Sequence, residues 1–129
     1  MSSLPVNSVN ERLIDVSQRP DMAEIMTATD CIITDYSTVI FEGFLTGQPG
    51  FIYADDFEEY VKDRGKLMFL PGEIPFSIAR TNDELMQNIM EFEENEYRNN
   101  FKLFTEERGI VEDGNATRRL VNRLEEMIF

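Results

Sequence analysis

The chain has 129 residues, 42% hydrophobic and 29% charged, the balance of one soluble globular domain with one core. Its net charge of −13, from 25 acidic against 12 basic residues, argues against nucleic acid as a partner, which needs a concentrated basic surface. Histidine is absent and cysteine occurs once, so self-contained Ser-His or Cys-His catalysis and an internal disulfide are excluded, and zinc is disfavoured.

No apolar run approaches the ~18 residues of a membrane span. The first twenty residues are too polar for a signal peptide, and the lone Cys31 suits a reducing compartment, so the expected location is cytoplasmic. Residues 1–10, rich in Ser and Asn, are expected to form a disordered leader, with a single α/β domain over 11–129. Residues 12–16 read as a short strand that Pro20 and its neighbours break. A helix opening at Pro20 or Asp21 and running to about Thr29 would turn Met22, Ile25 and Met26 inward.

The stretch 31–47 organises the chain. Residues 31–34 are an apolar, β-branched run without polar alternation, as in a strand covered on both faces of a parallel sheet. Asp35, Ser37 and Thr38 offer oxygens that can cap a helix, and Val39, Ile40, Phe41, Phe44 and Leu45 give that helix a broad apolar face. Gly47 and Pro49 end it. A helix start behind a parallel strand presents free amides and a positive dipole end, and in open α/β sheets ligands bind at the carboxyl ends of the strands. Two readings of this turn stand side by side: ordinary capping, or a phosphate site with Asp35 turned away or bonded to backbone or a substrate hydroxyl.

Residues 50–53 form the next strand, so three strands alternating with two helices predict a Rossmann-like parallel sheet flanked by helices. Residues 54–61 read as a short acidic helix with Phe57, Tyr60 and Val61 facing in. Residues 62–66 read as a polar loop, 67–70 as a small strand, 71–75 as turn and 78–80 as a short edge strand. A capped helix opens at Thr81 with Leu85, Ile89 and Met90 on its apolar face; the charged run 91–98 marks a bend. Tyr97, Phe101 and Phe104 suit another helix. After the 113–116 turn, a last helix carries Leu120, Val121, Leu124 and Ile128 as its core stripe. A sheet left incomplete would expose an edge and favour self-association. Asp15, Asp35 and Asp55 or Asp56, at strand ends, also allow a Mg²⁺-dependent phosphatase or receiver-like reading.

Several pieces together resemble the C-terminal half of the CDP-glycerol glycerophosphotransferases of teichoic-acid synthesis. They are Asp15-Val16-Ser17 with Pro20-Asp21-Met22, the run from Ile33-Thr34-Asp35-Tyr36-Ser37-Thr38 to Glu42, and Asp63-Arg64-Gly65. Leu70-Pro71-Gly72, the helix start from Arg80-Thr81 to Glu84-Leu85 and Glu112-Asp113-Gly114-Asn115-Ala116 complete them, over about residues 12–126. The resemblance implies part of a GT-B glycosyltransferase fold that binds CDP-glycerol or a related CDP-alditol and transfers glycerol phosphate to a lipid-linked or polymer acceptor. It places Val16, Ser17 and Arg19 at the cytosine through their backbone, Ser37 and Thr38 at the pyrophosphate, Glu42 near the ribose and Arg64 as a second phosphate contact; the plain alternative for Arg64 is pairing with Asp63. No catalytic residue, metal or cofactor is assigned. The family's histidines, the first βα units of the C-terminal half and the whole N-terminal half have no counterpart here. The expectation is therefore a fragment, inactive alone, whose partner is the missing half and whose place at the cytoplasmic membrane face comes through the complete enzyme. The competing expectation is a non-catalytic acidic α/β interaction domain that has lost nucleotide binding.

Overall fold

A computed structural model of the chain describes residues 12–65 and 72–128. Strands β1 (Ile32–Thr34), β2 (Gly50–Tyr53) and β3 (Ser77–Ala79) form a parallel sheet in that spatial order, with Ile33 opposite Phe51 and Ile52 opposite Ile78. The helices among the described residues are α1 (Met22–Thr27), α2 (Val39–Leu45), α3 (Phe57–Arg64), α4 (Asn82–Met90), α5 (Glu94–Glu107) and α6 (Ala116–Ile128). This is the expected α/β architecture, a parallel sheet flanked by helices.

Strand β2 lies in the middle and buries Gly50, Phe51 and Ile52, which is why it reads as an unbroken apolar run. The core gathers where Ile52 meets Ile40 of α2, Phe76 and Phe101 of α5. Phe44 stacks on Phe101, and Phe41 meets Phe76 edge-on at 5.1 Å. On the opposite face of the sheet Phe51 packs against Phe92 at 5.7 Å. Two glycines bring α2 close. A Cβ on Gly43 would collide with Ile32 Cδ1, and Gly47, at φ +91°, turns the chain back toward β2.

Several expectations need correction. Residues 12–16 are not a strand: all are exposed, Ile14 78%, and the sheet among the described residues is made of β1, β2 and β3. The third strand is β3, the short edge strand expected near Ile78. Strand β1 is an edge strand rather than a covered one, and Ile33 is half exposed. Helix α1 is shorter than expected; it buries Met26 while Met22 stays exposed. Helix α3 takes in Lys62, Asp63 and Arg64, which the sequence suggested as loop. Met90 is exposed, and so is the whole stripe of α6, which forms no part of the core. The leader 1–10 and the small strand at 67–70 fall outside the described residues. No helix among the described residues is long and apolar enough to cross a membrane.

Candidate functional site

Because the strands run parallel, the loops that follow them lie along one edge of the sheet: 35–38 after β1, 54–56 after β2 and Arg80 after β3. Tyr36 ties the first two together. Its hydroxyl donates to Asp56 Oδ1 at 2.7 Å, and its ring stacks on Tyr60 of α3 at 3.7 Å. Burial, helped by the Asp56 carboxylate, holds the Tyr36 phenol far above its ordinary range, so it remains a donor throughout the physiological range. Arg80 leans on the same helix, its guanidinium 4.9 Å over the Phe57 ring and 4.0 Å from Glu58.

The corner between β1 and α2 is open. Asp35, Ser37 and Thr38 are exposed. Of the three expected caps only Ser37 acts as one, accepting from the Val39 amide at a long 3.3 Å. Thr38 occupies the N-cap position with helical backbone and makes no side-chain cap bond. Among the described residues no group accepts from the Thr38 or Ile40 amide. The corner therefore offers two hydroxyl groups and unclaimed amides to a ligand, beside an Asp35 carboxylate that can only accept.

Glu42 lies one turn beyond Thr38 on the same side of α2, and is exposed. Arg64 lies one turn beyond Tyr60 on α3; among the described residues it forms no ion pair, with Asp63 or with any other group, and no hydrogen bond to Ser37 or Thr38. Val16, Ser17 and Arg19 form a separate turn. Asp15 Oδ1 accepts from the Ser17 amide at 2.9 Å and its hydroxyl at 2.5 Å, and the Arg19 amide donates to the Val16 carbonyl at 2.9 Å. The Ser17 hydrogen bonds hold the Asp15 carboxyl below its usual range. No hydrogen bond among the described residues joins this turn to the corner. The structure thus brings Asp35, Ser37, Thr38 and Glu42 together and aligns Arg64's helix with them through Tyr36, while the hydrogen bonds of the 16–19 turn are internal to it.

One groove runs from the corner between α2 and α5, lined by Thr38, Phe41, Arg98, Lys102, Thr105 and Glu112. Arg98 and Lys102 were missed in the sequence because 91–98 reads only as a charged bend; their four-residue spacing on one helix is the signal that places both on one face. Each is already bonded along its helix, Arg98 to Glu94 at 2.8 Å and Lys102 to Glu106 at 3.8 Å. Asp113 acts internally: it accepts from the Asn115 amide at 2.9 Å and pairs with Arg119 at 2.6 Å, and the Arg119 hydrogen bond draws its carboxyl below the usual range. No three His, Cys, Asp or Glu side chains among the described residues converge to hold a metal ion, and Asp15, Asp35 and Asp55 or Asp56 form no such cluster.

The profile of the family described as CDP-Glycerol:Poly(glycerophosphate) glycerophosphotransferase matches residues 2–126. The chain belongs to this family. It is 30% identical over 109 residues to a teichoic acid glycerol-phosphate transferase of Staphylococcus aureus, covering 82% of this chain and 28% of that protein. A teichoic acid poly(glycerol phosphate) polymerase of Staphylococcus epidermidis is 33% identical over 101 residues, covering 72% and 14%. A teichoic acid ribitol-phosphate polymerase of Staphylococcus aureus is 31% identical over 113 residues, covering 86% and 21%. The aligned part of this family member thus amounts to between 14% and 28% of these relatives' lengths. No solved structure matches the chain.

Proposed function

We propose that this chain is the nucleotide-binding portion of a glycerophosphotransferase, part of the C-terminal half of a GT-B fold, which takes CDP-glycerol or a related CDP-alditol. The observation that carries the reading is the open corner at the carboxyl end of β1, where Thr38 leaves its hydroxyl and amide unclaimed in a member of this family. Ser37 and Thr38 donate to the pyrophosphate, and Asp35 accepts from a substrate hydroxyl. Glu42 lies toward the ribose, Arg64 clamps phosphate oxygens as a two-pronged donor, and the backbone of Val16, Ser17 and Arg19 meets the cytosine.

In the complete enzyme an acceptor hydroxyl attacks the β-phosphorus in line. The new bond joins acceptor oxygen to phosphorus, the bridging bond to CMP breaks, and glycerol phosphate passes to a teichoic-acid acceptor. That step needs groups on both sides of the phosphate, and this chain supplies one side, so it binds without transferring. Assembly with the other half at the cytoplasmic membrane face completes the site.

The acidic setting of the corner, with Asp35, Asp55 and Asp56 along the same edge, favours the second reading, an interaction domain that has lost the nucleotide. Thermal unfolding separates the two. Saturating CDP-glycerol or CDP should raise the melting temperature by about 5 °C or more, with CMP less effective. No rise with any of the three would leave only the interaction domain.

A further inference from the structure

Helix α6 carries an apolar arc of Leu120, Val121, Leu124, Met127 and Ile128, and no residue of the helix is buried; Leu120 is 60% exposed and Ile128 71%. The arc's border carries a second pattern. Arg118 and Glu125 stand seven residues apart, which on an α-helix puts them within ~20° of each other on the same flank of the arc. They are also ~10 Å apart along the axis, too far to pair within one helix. The other charged residues of α6 are already satisfied, Arg119 by Asp113 at 2.6 Å and Arg123 by Glu126 at 3.0 Å. Among the described residues, Arg118 and Glu125 have no ion-pair partner.

We infer that α6 is a self-pairing surface, whose occupant is the α6 of a second copy of this chain, packed antiparallel across a two-fold axis. Antiparallel pairing sets Arg118 of each copy against Glu125 of the other while the two apolar arcs close on each other. Parallel pairing would put the two Arg118–Glu125 flanks on opposite sides of the seam, where they do not meet. Charge on the rest of the molecule points the same way. The chain carries −13 overall, whereas α6 holds three arginines against two glutamates, so a contact through α6 joins the copies where their mutual repulsion is smallest. A border of mixed sign fits a copy of itself and not an anionic lipid surface.

Sedimentation velocity of the whole chain, with circular dichroism as the folding control, tests this. A reversible dimer of twice the 15.0 kDa chain mass is expected. Leu124→Glu, on an exposed position, should abolish it with an unchanged dichroism spectrum. Arg118→Glu and Glu125→Arg should each weaken it roughly 3- to 10-fold, and the two combined should restore it, because the cross-copy pairs are then re-formed with signs exchanged. A wild-type chain that stays monomeric at millimolar concentration overturns the inference, including one that instead sediments with anionic vesicles. So does a dimer indifferent to Leu124→Glu, which would place the contact at the exposed β1 edge, or a double variant no tighter than the single ones.

Discussion

Helices α5 and α6 follow one another, have 14 and 13 residues, and are both amphipathic, yet only the first joins the core. Helix α5 buries Phe101 and Phe104 against Phe41 and Phe44 of α2, and its Tyr97 lies within ring contact of Phe44, Phe76 and Phe92. Helix α6 is the more regular amphipath of the two and buries nothing. Its fixed point is its start, where Asp113 holds Asn115 and Arg119. Periodicity decides that one face of a helix is apolar. Whether that face is covered depends on a partner of matching shape, and aromatic side chains on α2 supply one for α5 alone.

Substitutions sharpen the contrast. Phe101→Ala removes the centre of the aromatic cluster and should cost about 3–5 kcal/mol by chemical denaturation, whereas Leu124→Ala should stay within about 0.5 kcal/mol in the monomer. Equal losses would mean that α6 is covered after all. Gly43→Ala forces a methyl into Ile32 and should cost about 1–3 kcal/mol. The two helix starts differ in the same spirit. Thr81 accepts from the Glu84 amide at 3.2 Å, so Thr81→Ala should cost about 1 kcal/mol, while Thr38, which caps nothing, should cost close to nothing when cut to Ala.

The smallest effects concern pH. Burial pushes the Tyr97 phenol up to about 12, so folding favours its protonated form. That contribution is whole below the ordinary value of 10.0 and is lost as pH rises toward 12; Tyr97→Phe should flatten the alkaline limb of the stability curve. Asp113 acts in the other direction. With its folded pKa depressed by Arg119, its contribution is present above about pH 4 and fades as pH falls further. Asp113→Asn should remove that acid sensitivity, read as fraying of α6 by circular dichroism.

The sequence carried the centre of the fold well and its margins poorly. The order and type of the elements over residues 31–53 read correctly, because an apolar run, a glycine stop at Gly47 and Pro49 leave little room for another arrangement, whereas the open face of β1 did not. Residues 12–16 failed because Leu13, Ile14 and Val16 have strand composition but join no strand of the sheet among the described residues, and pairing is not visible locally. The corner was legible as Asp35, Ser37 and Thr38 at a helix start. Which hydroxyl caps and which is left over depends on backbone angles at Thr38 that no residue pattern encodes. Arg98 and Lys102 escaped notice because their place beside Thr38 follows from the docking of α5 on α2, a tertiary event.

The most direct measurement is calorimetric titration of CDP into the wild-type chain and into the Ser37→Ala, Thr38→Ala double variant, whose fold should be intact because Thr38 caps nothing and Ser37 caps weakly. Removing two hydroxyl donors from a bound diphosphate should weaken CDP by at least tenfold, about 1.4 kcal/mol, with the melting temperature of the free chain little changed. Equal CDP affinity in the two proteins would show that the corner after β1 does not hold the pyrophosphate.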